Sequence, residues 1–409
     1  MNAQTETARG AVALLRRPLT IRERCGQILT AGEAGELRHF EVDTSAMAHA
    51  VDRVVDEIRL SYPDLDIPYH SRWRHFVVGG VDRWEGIAAA LEGDAAERLR
   101  TRFDLAVISV LLDAGAGSRW AYRDARNGAL VGRSEGLALA SLEMFAAGLF
   151  SSDPRRPLRA EAAALAGLDE ARLAAAFQVE ADNPLEGMAG RAALLRRLGD
   201  AIASRPELFG SPGRVGNLAD HLRRRNDVAA PDILAALLDG LAPIWPGRLR
   251  IGGRGLGDVW RHPAAHGPGL TNGLVPFHKL TQWLTYSLVE PFEEAGVAVG
   301  GIDELTGLAE YRNGGLFIDT GVLVARDPSL LAEAQQVDAE AVIEWRALTV
   351  ALLDRLAASV RQRLGLTASA LPLAKVLQGG TWTAGRRIAR DLRHDGGPPI
   401  RIVSDGTVF

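Results

Sequence analysis

Residues 341–364 read AVIEWRALTVALLDRLAASVRQRL, with apolar side chains recurring three and four positions apart and neither glycine nor proline to interrupt them. That period predicts one long amphipathic helix, and the helix decides the class. The same spacing recurs at 51–60 (VDRVVDEIRL) and 103–112, and the alanine-rich run 160–177 predicts a further helix. Extended segments are short: 75–78, 249–251 and 400–403. Proline and glycine break the pattern near 151–157, 210–216, 252–269 and 396–399. No fixed-period repeat or low-complexity tract is present. The reading is a mainly α protein with a few short strands and long loops. It divides into a flexible N-terminal segment (1–20), an N-terminal helical lobe (21–270) and a C-terminal lobe (271–409), with the two lobes acting as one catalytic unit.

Composition narrows the function. Apolar residues make up 47% of the 409 and charged residues 24%, an ordinary globular balance. A net charge of −4 argues against a broad nucleic-acid-binding face. Cys25 is the sole cysteine, so neither an internal disulfide nor a thiolate metal cage can form. No run reaches the roughly 18 apolar residues of a membrane span, and no apolar leader is evident. The expectation is a cytoplasmic protein without metal or redox cofactor, whose partner is a small molecule rather than a membrane or nucleic acid. Of 47 basic residues only Lys279 and Lys375 are lysines. A lysine in such a background marks a place where an ammonium does what a guanidinium cannot.

Four stretches carry chemistry. In 276–295, PFHKLTQWLTYSLVEPFEEA, Pro276 suits a first helical position, and Phe277, Leu280, Leu284 and Leu288 form an apolar stripe. Lys279, Trp283, Tyr286 and Glu290 recur on a second face, with Gln282 beside them. This describes a pocket-lining helix or an ordinary amphipathic one. In 305–323, LTGLAEYRNGGLFIDTGVL, two carboxylates, Glu310 and Asp319, stand in a largely apolar run with Tyr311 and Arg312. Burying an unpaired carboxylate is costly, so each is paired, protonated or employed; a surface ion pair and a turn residue are the bland readings. In 68–76, PYHSRWRHF, an extended backbone would put His70, Arg72 and Arg74 opposite Trp73 and His75, either as a phosphate-and-ring grip or as a solvated edge strand. In 378–387, QGGTWTAGRR, Thr381 suits a helix cap and Arg386 and Arg387 follow within a turn, so the start of that helix is either an anion site or a plain cap. Other patterns fail. His262 and His266 are separated by Pro263, GGRGLGD at 252–258 opens no clear helix, and Asp113 suits a helix-ending turn as well as a pocket wall.

Taken together, HSRWRHF, VLLDAGAG, NPLEGMAGR, FHKLTQWLTYSLVEP, LTGLAEYRNGGLFIDTGVL, GGTWTAGR and the terminal SDGTVF resemble the fourth uracil-catabolism protein family along nearly the whole chain. More distantly, KLTQ followed by LTGLAEYR is similar to the lysine–glutamine helix and Ala-Asp-Tyr-Arg motif of the queuosine 5′-phosphate N-glycosidases. The second resemblance implies a two-lobed helix-hairpin-helix DNA-glycosylase-like architecture. It also implies functional positions at Lys279, Gln282, Glu310, Tyr311 and Arg312. Glu310 stands where that family has aspartate, and Asn313-Gly314-Gly315 replaces its Val-Pro-Gln run. Asp319 therefore stays beside Glu310 as a catalytic candidate, with Lys279 as their partner. The two resemblances jointly imply an N-ribosyl hydrolase acting on a ribosylurea 5′-phosphate, a phosphorylated riboside. Trp283, Tyr286 and Trp73 would wall the pocket, and Arg72 with Arg74, or Arg386 with Arg387, would hold the phosphate. The alternatives are an amidohydrolase of a ring-opened ureido intermediate and a non-catalytic scaffold or regulator.

Overall fold

The computed structural model describes residues 3–91, 93–117, 119–224, 227–245 and 248–403, so the terminal SDGTVF at 404–409 lies outside the described residues. The longer helices in chain order are α1 (Ala3–Leu15), α2 (Pro18–Glu33), α3 (Met47–Ser61), α4 (Ala95–Leu111), α5 (Arg133–Ala146), α6 (Met188–Ala203), α7 (Ala230–Gly240), α8 (Lys279–Glu294), α9 (Tyr311–Asp319), α10 (Glu340–Leu364) and α11 (Trp382–Leu392). The protein is mainly helical. Among the described residues strands occur only in two-stranded ladders, such as Phe40–Val42 against Leu323–Ala325. No described helix is long and apolar enough to cross a membrane.

The chain forms two compact units, and each draws on both sides of the boundary expected at 270. One comprises Met1–His70, Gly247–Gln282 and Gly301–Val403; the other comprises Ser71–Pro246 and Trp283–Gly300. The first is organised by α10, 25 residues and about 37 Å long. The sequence predicts an amphipathic helix here. From 351 to 364 it is one, with Leu352, Leu353, Leu356, Ala357 and Val360 buried and Arg355, Gln362 and Arg363 exposed, but every residue from Ala341 to Val350 is buried, including Glu344 and Arg346, where α2, α3 and α9 pack on the helix. Two buried charges on a central helix need partners: Arg346 has the Asp258 carboxylate, and Glu344 has two backbone amides on one of its oxygens. In the second unit α4 packs on α5, and Ser109 and Ser141 share a buried hydrogen bond of 2.6 Å between them.

Several local expectations change. The segment 1–20 does not stay a loose lead-in. It supplies α1, whose Ala8, Ala11, Val12 and Leu15 share one helical face and pack against Ile251, Val259 and Leu274. The run 160–177 is two short helices, Ala162–Ala166 and Glu170–Ala176, because Asp169 caps the second. HSRWRHF is not extended: Arg72–Phe76 form a 3-10 helix, which removes the alternation of faces. Pro276 ends a strand, Leu274–Pro276, and does not open α8.

The glycines of QGGTWTAGRR act by letting backbones approach. Leu377–Thr381 is a π-helical turn running directly into α11, so Thr381 caps no exposed helix start; it is buried and donates to Asn313 Oδ1 at 2.8 Å. A Cβ at Gly380 would lie 2.4 Å from Val54 Cγ1 on α3, and one at Gly385 would lie 2.3 Å from the Arg312 carbonyl oxygen on α9. We expect Gly385→Ala to destabilise the protein by about 1–3 kcal/mol, through overpacking of a backbone that cannot swing aside. Differential scanning calorimetry should show a transition several degrees lower. An unchanged melting temperature would mean that α9 and α11 are not in this close register.

Candidate active site

The site begins where α8 starts. Its first residue, Lys279, follows His278, whose φ of 47° is a left-handed value that most side chains avoid. His278 is buried, its Nε2 lies 3.1 Å from the Leu15 carbonyl oxygen, and burial takes its pKa down to about 4. The Asp258 carboxylate caps α8, accepting the Lys279 amide at 3.0 Å and the Trp260 indole N–H at 2.6 Å. Arg346 of α10 grips the same carboxylate with both Nη atoms at 2.8 Å and lies 4.2 Å over the Phe277 ring. Burial pulls the Asp258 carboxyl upward, but Arg346 and these hydrogen bonds outweigh it and hold the group below the usual carboxylate range.

Gln282, one turn on, spends its amide on structure. Its Nε2 donates to the Phe277 carbonyl at 2.9 Å and to Thr306 Oγ1 at 2.7 Å, and its Oε1 accepts the Thr306 amide at 2.9 Å. That bracket fixes the 306–310 segment relative to Lys279 and makes Gln282 a positioning residue rather than a substrate ligand. The segment continues irregularly and delivers Glu310 as the N-cap of α9.

Glu310 is buried, with a relative exposure of 7%. Its Oε2 accepts the Arg312 amide at 2.8 Å and its Oε1 accepts the Asn313 amide at 2.6 Å, so the carboxylate is fixed at the head of the helix. Burial raises its pKa; the two amides and the charges of Lys279 and Arg312 pull the other way. Each oxygen still has acceptor capacity beyond its amide. Arg312 lies 4.9 Å over the Tyr311 ring and donates to the Gly396 carbonyl at 3.0 Å; its buried Nε has no hydrogen-bond partner among the described residues. Lys279, Gln282, Glu310, Tyr311 and Arg312 thus belong to one unit and are tied together by Thr306, Asn313 and the α9 cap.

The other candidates lie elsewhere. Asp319 ends α9, nine residues and roughly 13 Å along the helix from the head that Glu310 caps. Arg393 holds it through both oxygens, at 2.7 and 2.5 Å, so it is a paired structural carboxylate. In the same unit His70 faces Gln378 at 3.1 Å, its ring centroid lies 6.0 Å from that of Trp382, and the Arg386 guanidinium lies 5.3 Å from the centroid of the Trp382 ring. Arg387 pairs with the buried Glu57 at 3.2 Å. In the second unit Arg72 is wholly buried, bonding Ser109 Oγ at 2.6 Å and pairing with Asp113 at 3.1 Å, with Trp283 5.6 Å beneath its guanidinium. Arg74 pairs with Glu290 at 2.7 Å, Trp73 Nε1 donates to the Ser287 carbonyl at 2.7 Å, and Tyr286 is fully buried. The phosphate grip expected of Arg72 and Arg74 is thus replaced by internal ion pairs.

Asp258, Arg346, His278 and Thr306 escaped the sequence reading. Asp258 was visible only as the end of a glycine run, and Arg346 only as one arginine in a long helix. Only Arg346 carried a signal, a charge inside an otherwise apolar helical stretch.

Two relatives extend over almost the whole chain. Protein urg3 of Schizosaccharomyces pombe is 42% identical over 398 residues, covering 95% of this chain and 96% of that protein. Uracil catabolism protein 4 of Lachancea kluyveri is 38% identical over 428 residues, covering 95% and 97%. The model of the family described as "Protein of unknown function (DUF1688)" matches residues 14–409, and the chain belongs to that family.

Proposed function

We propose that this protein works in uracil catabolism as an N-ribosyl hydrolase, converting a ribosylurea 5′-phosphate and water into ribose 5-phosphate and urea. The pathway rests on the similarity to uracil catabolism protein 4. A route that opens the pyrimidine ring while it is attached to ribose phosphate leaves a ribosylurea whose N-glycosidic bond remains to be cut. The similarity of KLTQ and LTGLAEYR to the queuosine 5′-phosphate N-glycosidases supports the bond and a helix-hairpin-helix glycosylase-like architecture.

The observation that carries the reading is Glu310: a buried carboxylate pinned by two backbone amides and under the charge of Lys279. As the urea nitrogen leaves, positive charge builds on the ribose C1′. A fixed anion in a poorly hydrated setting stabilises that charge without reorganising, and its remaining acceptor capacity orients the attacking water. Lys279 keeps the carboxylate ionised and hydrogen-bonds the sugar. Arg312 Nε offers a further donor to ribose.

Incubating the purified protein with a panel of ribosyl 5-phosphates and assaying both sugar phosphate and urea tests the reading. Ribose 5-phosphate should appear from the ribosylurea substrate with one urea per sugar. Ammonia without free pentose phosphate would replace the proposal with an amidohydrolase, and binding without turnover would replace it with a scaffold. The pH profile supplies a second check. Because burial raises the Glu310 pKa and the ionised form is the working one, kcat/KM should fall on the acid side with an apparent pKa above the ~4.3 of a free glutamate. An acid limb at or below that value would detach Glu310 from the rate.

A further inference from the structure

We propose that the first unit holds a divalent first-row cation between His39, Glu340 and Glu344, apart from the Glu310 site and independent of the reaction assigned to it. Glu340 and Glu344 stand one turn apart at the start of α10 and share a face. His39 Nε2 lies 3.4 Å from Glu340 Oε1, and single ligand atoms of the three residues all fall within 4.8 Å of one another. Donors about 2.0–2.2 Å from a shared metal are separated by about 3–4.4 Å, so little movement brings the three onto one ion.

The second observation is an unsatisfied buried atom. Glu344 is fully buried. Its Oε1 is spent on the backbone amides of His39 at 3.1 Å and Phe40 at 2.8 Å, while Oε2 has no hydrogen-bond partner. His39 Nε2 is likewise buried and without a hydrogen bond. Two carboxylates one turn apart repel, and a buried one without a full set of partners is costly. A cation removes both costs. The same Glu344 oxygen that holds the His39 backbone also sets the position from which the His39 ring reaches the site.

His262 contributes differently. Its Nδ1 accepts the Ala264 amide at 3.2 Å, so a neutral ring carries its proton on Nε2, which points to Glu344 Oε2 at 3.5 Å. At that distance the ring flanks the cluster without hydrogen-bonding the carboxylate oxygen, which is left to a cation. A recess of about 600 Å³ lined by Gln27, His262, His266, Glu340 and Glu344 gives access. The sequence reading expected no metal because it sought closely spaced ligands, whereas His39 and Glu344 are 305 residues apart. One imidazole and two carboxylates suit Zn²⁺, Co²⁺ and Mn²⁺, in that order of affinity, and give no advantage to Mg²⁺.

Tag-free full-length protein, stripped on a chelating resin, would be titrated calorimetrically with Zn²⁺, Co²⁺, Mn²⁺ and Mg²⁺ in turn. One equivalent of Zn²⁺ should bind, with Mn²⁺ weaker and Mg²⁺ giving no heat. Glu340→Gln and His39→Gln should each weaken Zn²⁺ by at least about 10-fold, while Glu340→Gln leaves the melting temperature of the stripped protein unchanged, since that side chain is 39% exposed. Glu344 is left intact because it holds two backbone amides. Absence of saturable binding, or wild-type affinity in both variants, overturns the site.

Discussion

Glu310→Gln should lower the maximal rate of ribose 5-phosphate release by about 10³-fold, corresponding to roughly 4 kcal/mol of lost transition-state stabilisation. The substitution keeps the volume and one acceptor oxygen but removes the charge that the proposed reaction sets against the developing cation at C1′. The fold should survive. The side-chain oxygens accept the Arg312 and Asn313 amides at the head of α9, and replacing one by an NH2 group leaves one of those amides without its acceptor. Weakening a cap costs about 1 kcal/mol, a small fall in melting temperature beside a thousandfold fall in rate. The contrast with Asp319→Asn makes the result diagnostic. Asp319 is held through both oxygens by Arg393, so its substitution should lower stability with little change in maximal rate. A Glu310→Gln protein within tenfold of the wild-type rate would remove this carboxylate from the chemistry, and a thousandfold loss in Asp319→Asn at unchanged stability would move the chemistry there.

Asp258→Asn should be the most destabilising of the substitutions considered, costing about 3–5 kcal/mol, because it breaks one ion pair and leaves its partner buried. Arg346 has a side-chain exposure of only 1%, and both its Nη atoms donate to Asp258. The same carboxylate caps α8 through the Lys279 amide and accepts the Trp260 indole. Activity should fall as well, since Lys279 is placed by that cap. The double variant Asp258→Asn/Arg346→Met should recover much of the lost stability, because removing both charges also removes the uncompensated one. Calorimetric melting of the two single variants and the double variant measures this directly. The pH dependence has a definite sign. Asp258 has a lowered pKa in the folded protein, so its contribution is present above the unfolded value near 3.9 and is lost as pH falls through the folded value. The wild type should therefore lose stability more steeply than Asp258→Asn below about pH 4. Parallel acid curves for the two proteins would show that the pair contributes no net stability.

The sequence by itself determined the helical class and picked out the residues on which the proposed chemistry rests. Period three-and-four spacing is local, so 341–364 announced α10 to within a residue, and 51–60 and 103–112 announced parts of α3 and α4. The KLTQ and LTGLAEYR motifs marked Lys279, Gln282 and Glu310, which share one unit. Tertiary structure decided what each group does. Only folding showed that Gln282 is consumed by Thr306 and Phe277, that Glu310 is a helix cap as well as a buried anion, and that Asp319 belongs to Arg393. Periodicity gave α10 the polar side it shows over 351–364 but also one over 341–350 that it does not have, because burial on every face there depends on which helices arrive around it. A carboxylate's chemistry depends on its solvation and on charges hundreds of positions away in the chain, and both are set by packing, to which spacing along the chain is blind.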